Sequence, residues 1–111
     1  MDLSEERMDQ VTALSVKGRI DSTTALQFGQ KLESAVAVPS GRLVVDLRDL
    51  DYISSAGFRV LLVAAKRADQ SGSRLVLCGL SSKVRQLFDV GGFLDLFAIT
   101  ATRDEAIASA R

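Results

Sequence analysis

Apolar and polar residues follow two different periods along this chain of 111 residues. Between residues 8 and 17 they alternate weakly, which predicts a half-exposed strand paired with residues 2–7. Residues 43–47 and 75–78 form short, nearly continuous apolar runs, which are typical of strands covered on both faces. A last short strand is predicted over residues 96–99.

Between the strands, apolar residues recur every three or four positions, as they do along the buried face of an amphipathic helix. The first helix is predicted to start at a cap formed by Asp21 or Ser22, to run to about Val38, and to end at Pro39. Three more helices are predicted: one follows Ser55, one is capped by Ser81 or Ser82, and one is capped by Thr102.

The order of these elements predicts the fold class. Strand and helix alternate through the middle of the chain, which favours an α/β architecture with a mainly parallel sheet, and the N-terminal strands are expected to join it at an edge. We therefore expect residues 1–111 to form a single domain, with a mixed sheet of four or five strands flanked by about four helices. The strand that contains Asp46 is expected to give way to an acidic loop leading to Ser54 and Ser55.

Composition and charge exclude several classes of function. Lys and Arg together number 14, as do Asp and Glu, so the net charge is zero and the pI is near 6.2. A nucleic-acid-binding protein would normally carry a basic surplus or stripe, so no nucleic-acid partner is expected. The absence of histidine excludes a Ser–His–Asp or Cys–His catalytic site within the chain. With a single cysteine, a four-ligand zinc site of Cys and His is excluded as well.

The same features bear on where the protein acts. Cys78 lies in an apolar strand, so we expect an inert thiol in the core and no internal disulfide. The N-terminal residues are acidic and lack the apolar segment of a secretory signal. No apolar run approaches the roughly 20 residues that cross a bilayer. These observations predict a cytoplasmic protein without a membrane segment.

Two consecutive serines, Ser54 and Ser55, stand immediately before the helix that starts Ala56-Gly57-Phe58. A serine at this position is commonly an N-cap, whose hydroxyl accepts a hydrogen bond from a free backbone N–H. The position also suits a phosphate, because free N–H groups and the positive end of the helix dipole stabilise negative charge. Two interpretations follow, a structural cap alone or a regulatory phosphorylation site at the same helix start. Arg59, one turn further along, could neutralise part of the added charge.

Other side chains raise weaker hypotheses. The acidic residues Asp46, Asp49 and Asp51 suggest a divalent metal, because hard cations take oxygen ligands. Their spacing matches no defined calcium loop, so a solvated loop without a metal is expected. Asp21 is interpreted as a helix cap unless folding brings its loop near the serines. Val63 is an apolar residue on the wet face of the second helix, where it could mark a shallow patch for a partner.

At these residues the chain resembles the stand-alone STAS domains that act as anti-sigma factor antagonists. The segment from Asp46-Leu47 to Gly57-Phe58 is similar to the family motif. In that motif Asp-Leu closes a strand and an acidic loop follows. Asp-Ser comes next, and one residue separates this serine from a glycine. One position departs from that pattern, because Asp commonly precedes the acceptor serine and Ser54 stands there. The family's Gly-x-Leu-Asp loop and third helix resemble two further segments, Gly18-Arg19-Ile20-Asp21 and Val84-Arg85-Gln86-Leu87-Phe88 with Gly92.

This resemblance implies a switch that needs no cofactor, rather than a catalyst. In such systems an anti-sigma factor with a GHKL-type serine kinase fold binds the unmodified antagonist and phosphorylates it, and a PPM-type phosphatase removes the phosphate. Alignment on the glycine places the acceptor at Ser55, with Ser54 as the second choice. Gly57 is expected to let the partner's backbone come close. The expected docking face consists of Asp21, Ser22, Ser54, Ser55, Ala56, Gly57, Arg59 and Val63.

Two alternatives to the switch stay open. The chain could be a STAS module that binds a small molecule or nucleotide, or a subunit of a signalling or transport assembly. It could also be an enzyme with Ser55 as nucleophile, although without histidine only a Lys-assisted or Asp-assisted route would remain.

Overall fold

A computed structural model describes residues 1–8, 10–38 and 40–111. In this part of the chain, five strands form one sheet with the order β1-β2-β3-β4-β5, accompanied by four α-helices and one 3₁₀ turn. The strands are β1 (Asp2–Met8), β2 (Val11–Ile20), β3 (Arg42–Ile53), β4 (Arg74–Cys78) and β5 (Ala98–Thr100). The helices are α1 (Ala25–Val36), α2 (Ser55–Ser71), α3 (Ser82–Val90) and α4 (Arg103–Ala110), and the 3₁₀ turn covers Leu94–Leu96.

The sheet is mixed, as predicted. Edge strand β1 pairs antiparallel with β2, with Met8 opposite Val11 and Asp2 opposite Lys17. The pairs β2–β3, β3–β4 and β4–β5 are all parallel. This confirms a single α/β domain with a parallel centre. Because parallel strands end at the same edge, the loops after β2, β3 and β4 are neighbours.

The helices divide unequally between the two faces of the sheet. Helices α1, α2 and α3 cover one face and bury the larger core, whose main side chains are Phe28, Leu32, Leu47, Ile53, Leu61 and Phe88. Helix α4 covers the other face over a smaller cluster of Val11, Ala13, Val44, Val76, Cys78, Ala106 and Ala110. The central strands are thus apolar on both sides, which explains their continuous apolar runs.

Strand β3 is longer than predicted, and the prediction of an acidic loop after it is wrong. The segment continues as a strand to Ile53, with Leu50 and Ile53 in the core and Asp49 and Asp51 exposed. Two register shifts against β2 accommodate extra residues in β3. These irregularities interrupt the strict alternation of apolar and polar residues, so the sequence pattern hides the strand.

Helix α1 is shorter than predicted. It begins at Ala25 and ends at Val36, and its N-cap residue, Thr24, makes no side-chain capping bond. Asp21 instead closes a turn before the helix, because its Oδ1 accepts from the backbone N–H of Thr23 at 2.9 Å and from the Thr23 hydroxyl at 2.6 Å. An Asp side chain that bonds the backbone two residues ahead stabilises a turn rather than a helix start.

The remaining boundaries follow the sequence closely. Ser81 caps α3, since its Oγ accepts from the N–H of Val84 at 3.2 Å. The Thr102 hydroxyl caps α4 in the same way, and Gly72 ends α2 in the left-handed conformation with φ 73°. The last strand begins two residues later than predicted and ends one residue later, because residues 94–96 form the 3₁₀ turn. The predicted helix stop at Pro39 lies outside the described residues.

Candidate functional site

The ends of β2 and β3 bring two loops together at one edge of the sheet. The backbone N–H of Ser54, directly after β3, donates to the carbonyl of Ile20 at the end of β2 over 2.8 Å. Asp21, the next residue after Ile20, therefore lies beside the start of α2. The sequence left this proximity open, and the parallel pairing of the two strands provides it.

Ser54 is the N-cap of α2. Its backbone is extended (φ −87°, ψ 172°), and its Oγ accepts a hydrogen bond from the N–H of Gly57 at 3.3 Å. Its carbonyl accepts the first helical bond, from the N–H of Phe58 at 3.0 Å. Asp and Ser are about equally good at this position. Ser54 can therefore replace the Asp of the motif without loss of the cap.

Ser55 is the first residue of the helix and has a different environment. Its side chain is exposed, and its hydroxyl makes no hydrogen bond to any residue that the structure describes. The first-turn N–H groups and the positive end of a 17-residue helix lie beside it. Ser54 is thus a half-buried helix cap, whereas Ser55 presents a free and accessible hydroxyl.

An aromatic cluster holds this end of α2 against the rest of the protein. The ring of Phe58 stacks on Phe93, with centroids 4.3 Å apart and planes 7° apart. It also meets the ring of Phe88 edge-on at 4.8 Å. Offset and edge-on aromatic pairs are favourable beyond their area burial. The position of Ser55 is therefore fixed by packing one turn further along the helix.

The loop after β2 places an anion near the serines. The pKa of Asp21 is below its ordinary value, chiefly because the Thr23 hydroxyl donates a hydrogen bond to the carboxylate and secondly because the Thr23 backbone N–H does so. The carboxylate is therefore charged at neutral pH. Ser22 is exposed in the same loop. Two of the sequence-predicted docking residues, Asp21 and Ser22, therefore lie at the same edge as the serines.

Along α2, Arg59 and Val63 continue the side of the helix on which Ser55 lies. The spacing of four residues places these three side chains on successive turns. Arg59 is exposed and forms no ion pair or hydrogen bond with any described residue, and Val63 is 45% exposed. Ala56 is half-buried. The structure thus presents Ser55, Arg59 and Val63 on one accessible strip.

Gly57 has a role that the sequence analysis assigned incorrectly. It is buried, and a Cβ added to it would lie 2.7 Å from Cγ2 of Ile20 and 2.7 Å from Cγ1 of Ile53. The space that its missing side chain leaves is therefore filled by the protein's own core and is not open to a partner's backbone. Gly57 lets α2 approach the ends of β2 and β3 closely.

Sequence reasoning missed Leu26, which is 72% exposed at the start of α1. Leu26 and Val63 lie on opposite walls of a groove between α1 and α2, with a volume of about 210 Å³. The signal that singled out Val63, an apolar residue on a wet helix face, would also have found Leu26. At the nearby strand ends, Arg19 lies 4.4 Å from the ring centroid of Tyr52, a cation–π contact that the sequence analysis also missed.

The side chains of the three acidic residues considered as metal ligands do not meet at a common site. Asp46 is 5% exposed; its Oδ1 accepts from the N–H of Arg48 at 3.0 Å, and its Oδ2 lies 3.5 Å from the guanidinium of Arg103. Asp49 and Asp51 are exposed further along β3. Within residues 1–8, 10–38 and 40–111, no group of three or more His, Cys, Asp or Glu side chains is placed to hold a metal ion.

Cys78 is completely buried in β4, as expected, and has no disulfide partner among the described residues. Burial raises the pKa of its thiol to about 11, with a further contribution from the negative charge of Asp46. The thiol is therefore protonated and unreactive at neutral pH.

Comparison with known proteins identifies the family of the chain. The STAS domain family matches residues 3–106. The chain belongs to this family. BtrV of Bordetella bronchiseptica, described as a candidate anti-sigma factor antagonist, is 38% identical over 109 residues, which are 98% of this chain and 94% of BtrV.

Solved structures agree on the fold of this STAS domain. An anti-sigma factor antagonist from Mycobacterium paratuberculosis has a TM-score of 0.87 at 25% identity, over 99% of this chain and 93% of the other. The phosphorylated form of the Bacillus protein SpoIIAA has a TM-score of 0.73 at 20% identity, over 99% of this chain and all of that one. At 20% identity, the match to SpoIIAA is evidence for the fold alone. Among the residues described in our structure, no helix is both long and apolar enough to cross a membrane.

Proposed function

We propose that this STAS domain is a phosphorylation-switched anti-sigma factor antagonist of the cytoplasm. In its unmodified form it binds and sequesters a GHKL-type serine kinase that acts as the anti-sigma factor. The kinase phosphorylates Ser55, and the modified protein releases it. A PPM-type phosphatase restores the binding form.

The observation that carries this proposal is that Ser54 and Ser55 have different roles, since Ser54 caps α2 and the Ser55 hydroxyl is free. Because Ser54 satisfies the cap, the exposed hydroxyl of Ser55 is available to a kinase without loss of the helix start. A phosphate there carries close to two negative charges, and the free N–H groups and the helix dipole stabilise it. Modification can therefore change the docking face while the fold stays intact.

The comparisons support the same class of function. BtrV shares 38% of its residues with this chain over nearly its whole length. SpoIIAA, which shares the fold, has been solved in both unphosphorylated and phosphorylated forms. A fold that holds both forms of one protein suits a switch that acts through surface charge.

The switch requires only a modest change in free energy. A hundredfold loss of affinity corresponds to about 2.7 kcal/mol, at about 1.4 kcal/mol per factor of ten. A phosphate that has to be buried against an apolar or acidic partner surface can cost this much. No rearrangement of the sheet or helices is needed.

Binding of the kinase to charge variants tests the proposal. The chain offers a matched control in Ser82, which is also an exposed first helical residue behind a serine cap, at the start of α3. Ser55→Asp should weaken binding of the purified kinase in calorimetry by at least tenfold, whereas Ser55→Ala and Ser82→Asp should bind like the wild type. Phosphopeptide mass spectrometry should place the phosphate on Ser55. Equal binding by all four proteins would refute the switch.

A further inference from the structure

The groove between α1 and α2 continues the expected docking face towards α1, since Arg59 and Val63 line its α2 side. Its apolar walls are formed by Leu26, Gly29, Val60, Val63 and Ala64. The helices approach closely at its base, since a Cβ on Gly29 would lie 3.1 Å from Cγ1 of Val60. Leu26 and Val63 remain 72% and 45% exposed above this base. The groove therefore offers two large aliphatic side chains to an incoming apolar group.

The charges on the rim of the groove are unbalanced at one end. Glu33 of α1 and Arg67 of α2 form an ion pair across the end of the groove far from Ser55. Arg59, the other charged residue of the lining, forms no ion pair with any described residue. The groove therefore carries one uncompensated positive charge, and that charge lies on the side nearest to Ser55. A complementary ligand has an apolar body and a single carboxylate.

The position of Arg59 relative to Ser55 couples the groove to phosphorylation. Residues four apart on a helix are neighbours, separated by about 6 Å along the axis. An anion at Ser55 and a cation at Arg59 have the favourable order, with the negative group nearer the helix N-terminus. A phosphate on Ser55 can therefore pair with the same guanidinium that faces the groove.

We infer that the groove is the second half of the kinase-binding surface. An apolar side chain of the kinase inserts between Leu26 and Val63, and a carboxylate of the same segment pairs with Arg59. Phosphorylation of Ser55 supplies Arg59 with an anion within its own helix and repels that carboxylate. This inference rests on the proposed function, and it adds the chemistry of the partner segment and the residue through which the phosphate acts.

Photo-crosslinking in the native cells identifies the occupant of the groove. A photoreactive phenylalanine analogue is placed at position 26, and at position 90 as a control, because Val90 on α3 is 81% exposed and lies outside the groove. Position 26 should crosslink to a GHKL-type kinase and position 90 should not. A crosslinked dimer of this chain, or crosslinks to the kinase from position 90 alone, would overturn the inference.

A double-mutant cycle with the purified kinase tests the role of Arg59. Leu26→Gln and Arg59→Gln should each weaken binding about tenfold, whereas the matched substitutions Val90→Gln and Arg85→Gln on α3 should change it less than twofold. If the anion at position 55 acts through Arg59, Arg59→Gln should weaken binding less than threefold when combined with Ser55→Asp. A full tenfold loss in that background would show that the two residues act independently, against the inference.

The two proposals fail in different ways. If Leu26→Gln and Arg59→Gln bind like the wild type while Ser55→Asp does not, the groove is not part of the interface and the switch stands. If Leu26→Gln weakens binding and Ser55→Asp does not, the groove binds the kinase but the switch at Ser55 is refuted. Circular dichroism of each variant checks that the fold is retained.

Discussion

Alanine substitution of each serine at the start of α2 should separate the helix cap from the phosphate acceptor. Ser54→Ala removes the oxygen that accepts from the N–H of Gly57. Loss of such a cap costs about 0.5–2 kcal/mol, typically about 1 kcal/mol. Ser55→Ala removes an exposed hydroxyl without a hydrogen bond to any described residue, so the free energy of unfolding should change by less than about 0.5 kcal/mol.

The size of the domain converts this difference into a melting temperature. The entropy of unfolding near 60 °C is about 2.1 cal/mol/K per residue, or about 0.23 kcal/mol/K for 111 residues. A loss of about 1 kcal/mol therefore lowers the Tm by about 4 °C. Ser54→Ala should melt about 4 °C below the wild type and Ser55→Ala within about 2 °C of it.

Thermal melts followed by circular dichroism, together with a phosphorylation assay using the cognate kinase, measure both effects. Ser54→Ala should still accept phosphate at Ser55, and Ser55→Ala should accept none. Ser81→Ala serves as the control, because Ser81 caps α3 with the same geometry at 3.2 Å and should lower the Tm without affecting phosphorylation. A destabilised Ser55→Ala that is still phosphorylated at Ser54 would show that the two roles have been assigned the wrong way round.

Two further predictions concern the residues that support this site. Gly57→Ala forces a methyl group to within 2.7 Å of carbon atoms of Ile20 and Ile53 and should cost about 1–3 kcal/mol in chemical denaturation. Gly29→Ala should cost less, because its methyl group would lie 3.1 Å from Cγ1 and 3.2 Å from Cβ of Val60 and because alanine raises helix propensity by about 1 kcal/mol. Burial raises the pKa of the Cys78 thiol from 9.0 to about 11. Between these two pH values the folded protein retains a proton that the unfolded chain releases. The free energy of unfolding should therefore fall as the pH rises from about 9 to 11. Cys78→Ala should show a smaller fall over the same range, and an unchanged pH dependence would contradict the assignment.

The sequence predicted those elements whose signals are local. The start of α2 and the caps of α3 and α4 all depend on side chains within a few residues of the boundary. The apolar runs of β3 and β4 predicted buried parallel strands because both faces of these strands are covered. The outlines of the fold and the position of the serine pair were therefore readable from the sequence.

Predictions that required knowledge of distant neighbours were wrong or incomplete. The continuation of β3 to Ile53 depends on pairing with β2 through two irregularities, which no local pattern reveals. Asp46 looked like part of a solvated acidic cluster, yet it is buried beside Arg103, which lies more than 50 residues away in the chain. Charged residues are almost never fully buried without a partner, and that partner was not visible locally.

The sequence by itself determined that a hydroxyl stands at the start of a helix beside an arginine and an exposed valine, because a single helix sets those spacings. Only the tertiary structure decided which serine is the cap, that Gly57 faces the core, and that Leu26 of α1 joins Val63 of α2 in one groove. The physical reason is that helix periodicity relates residues within one element, whereas cap geometry, steric room and grooves depend on how separate elements pack against one another.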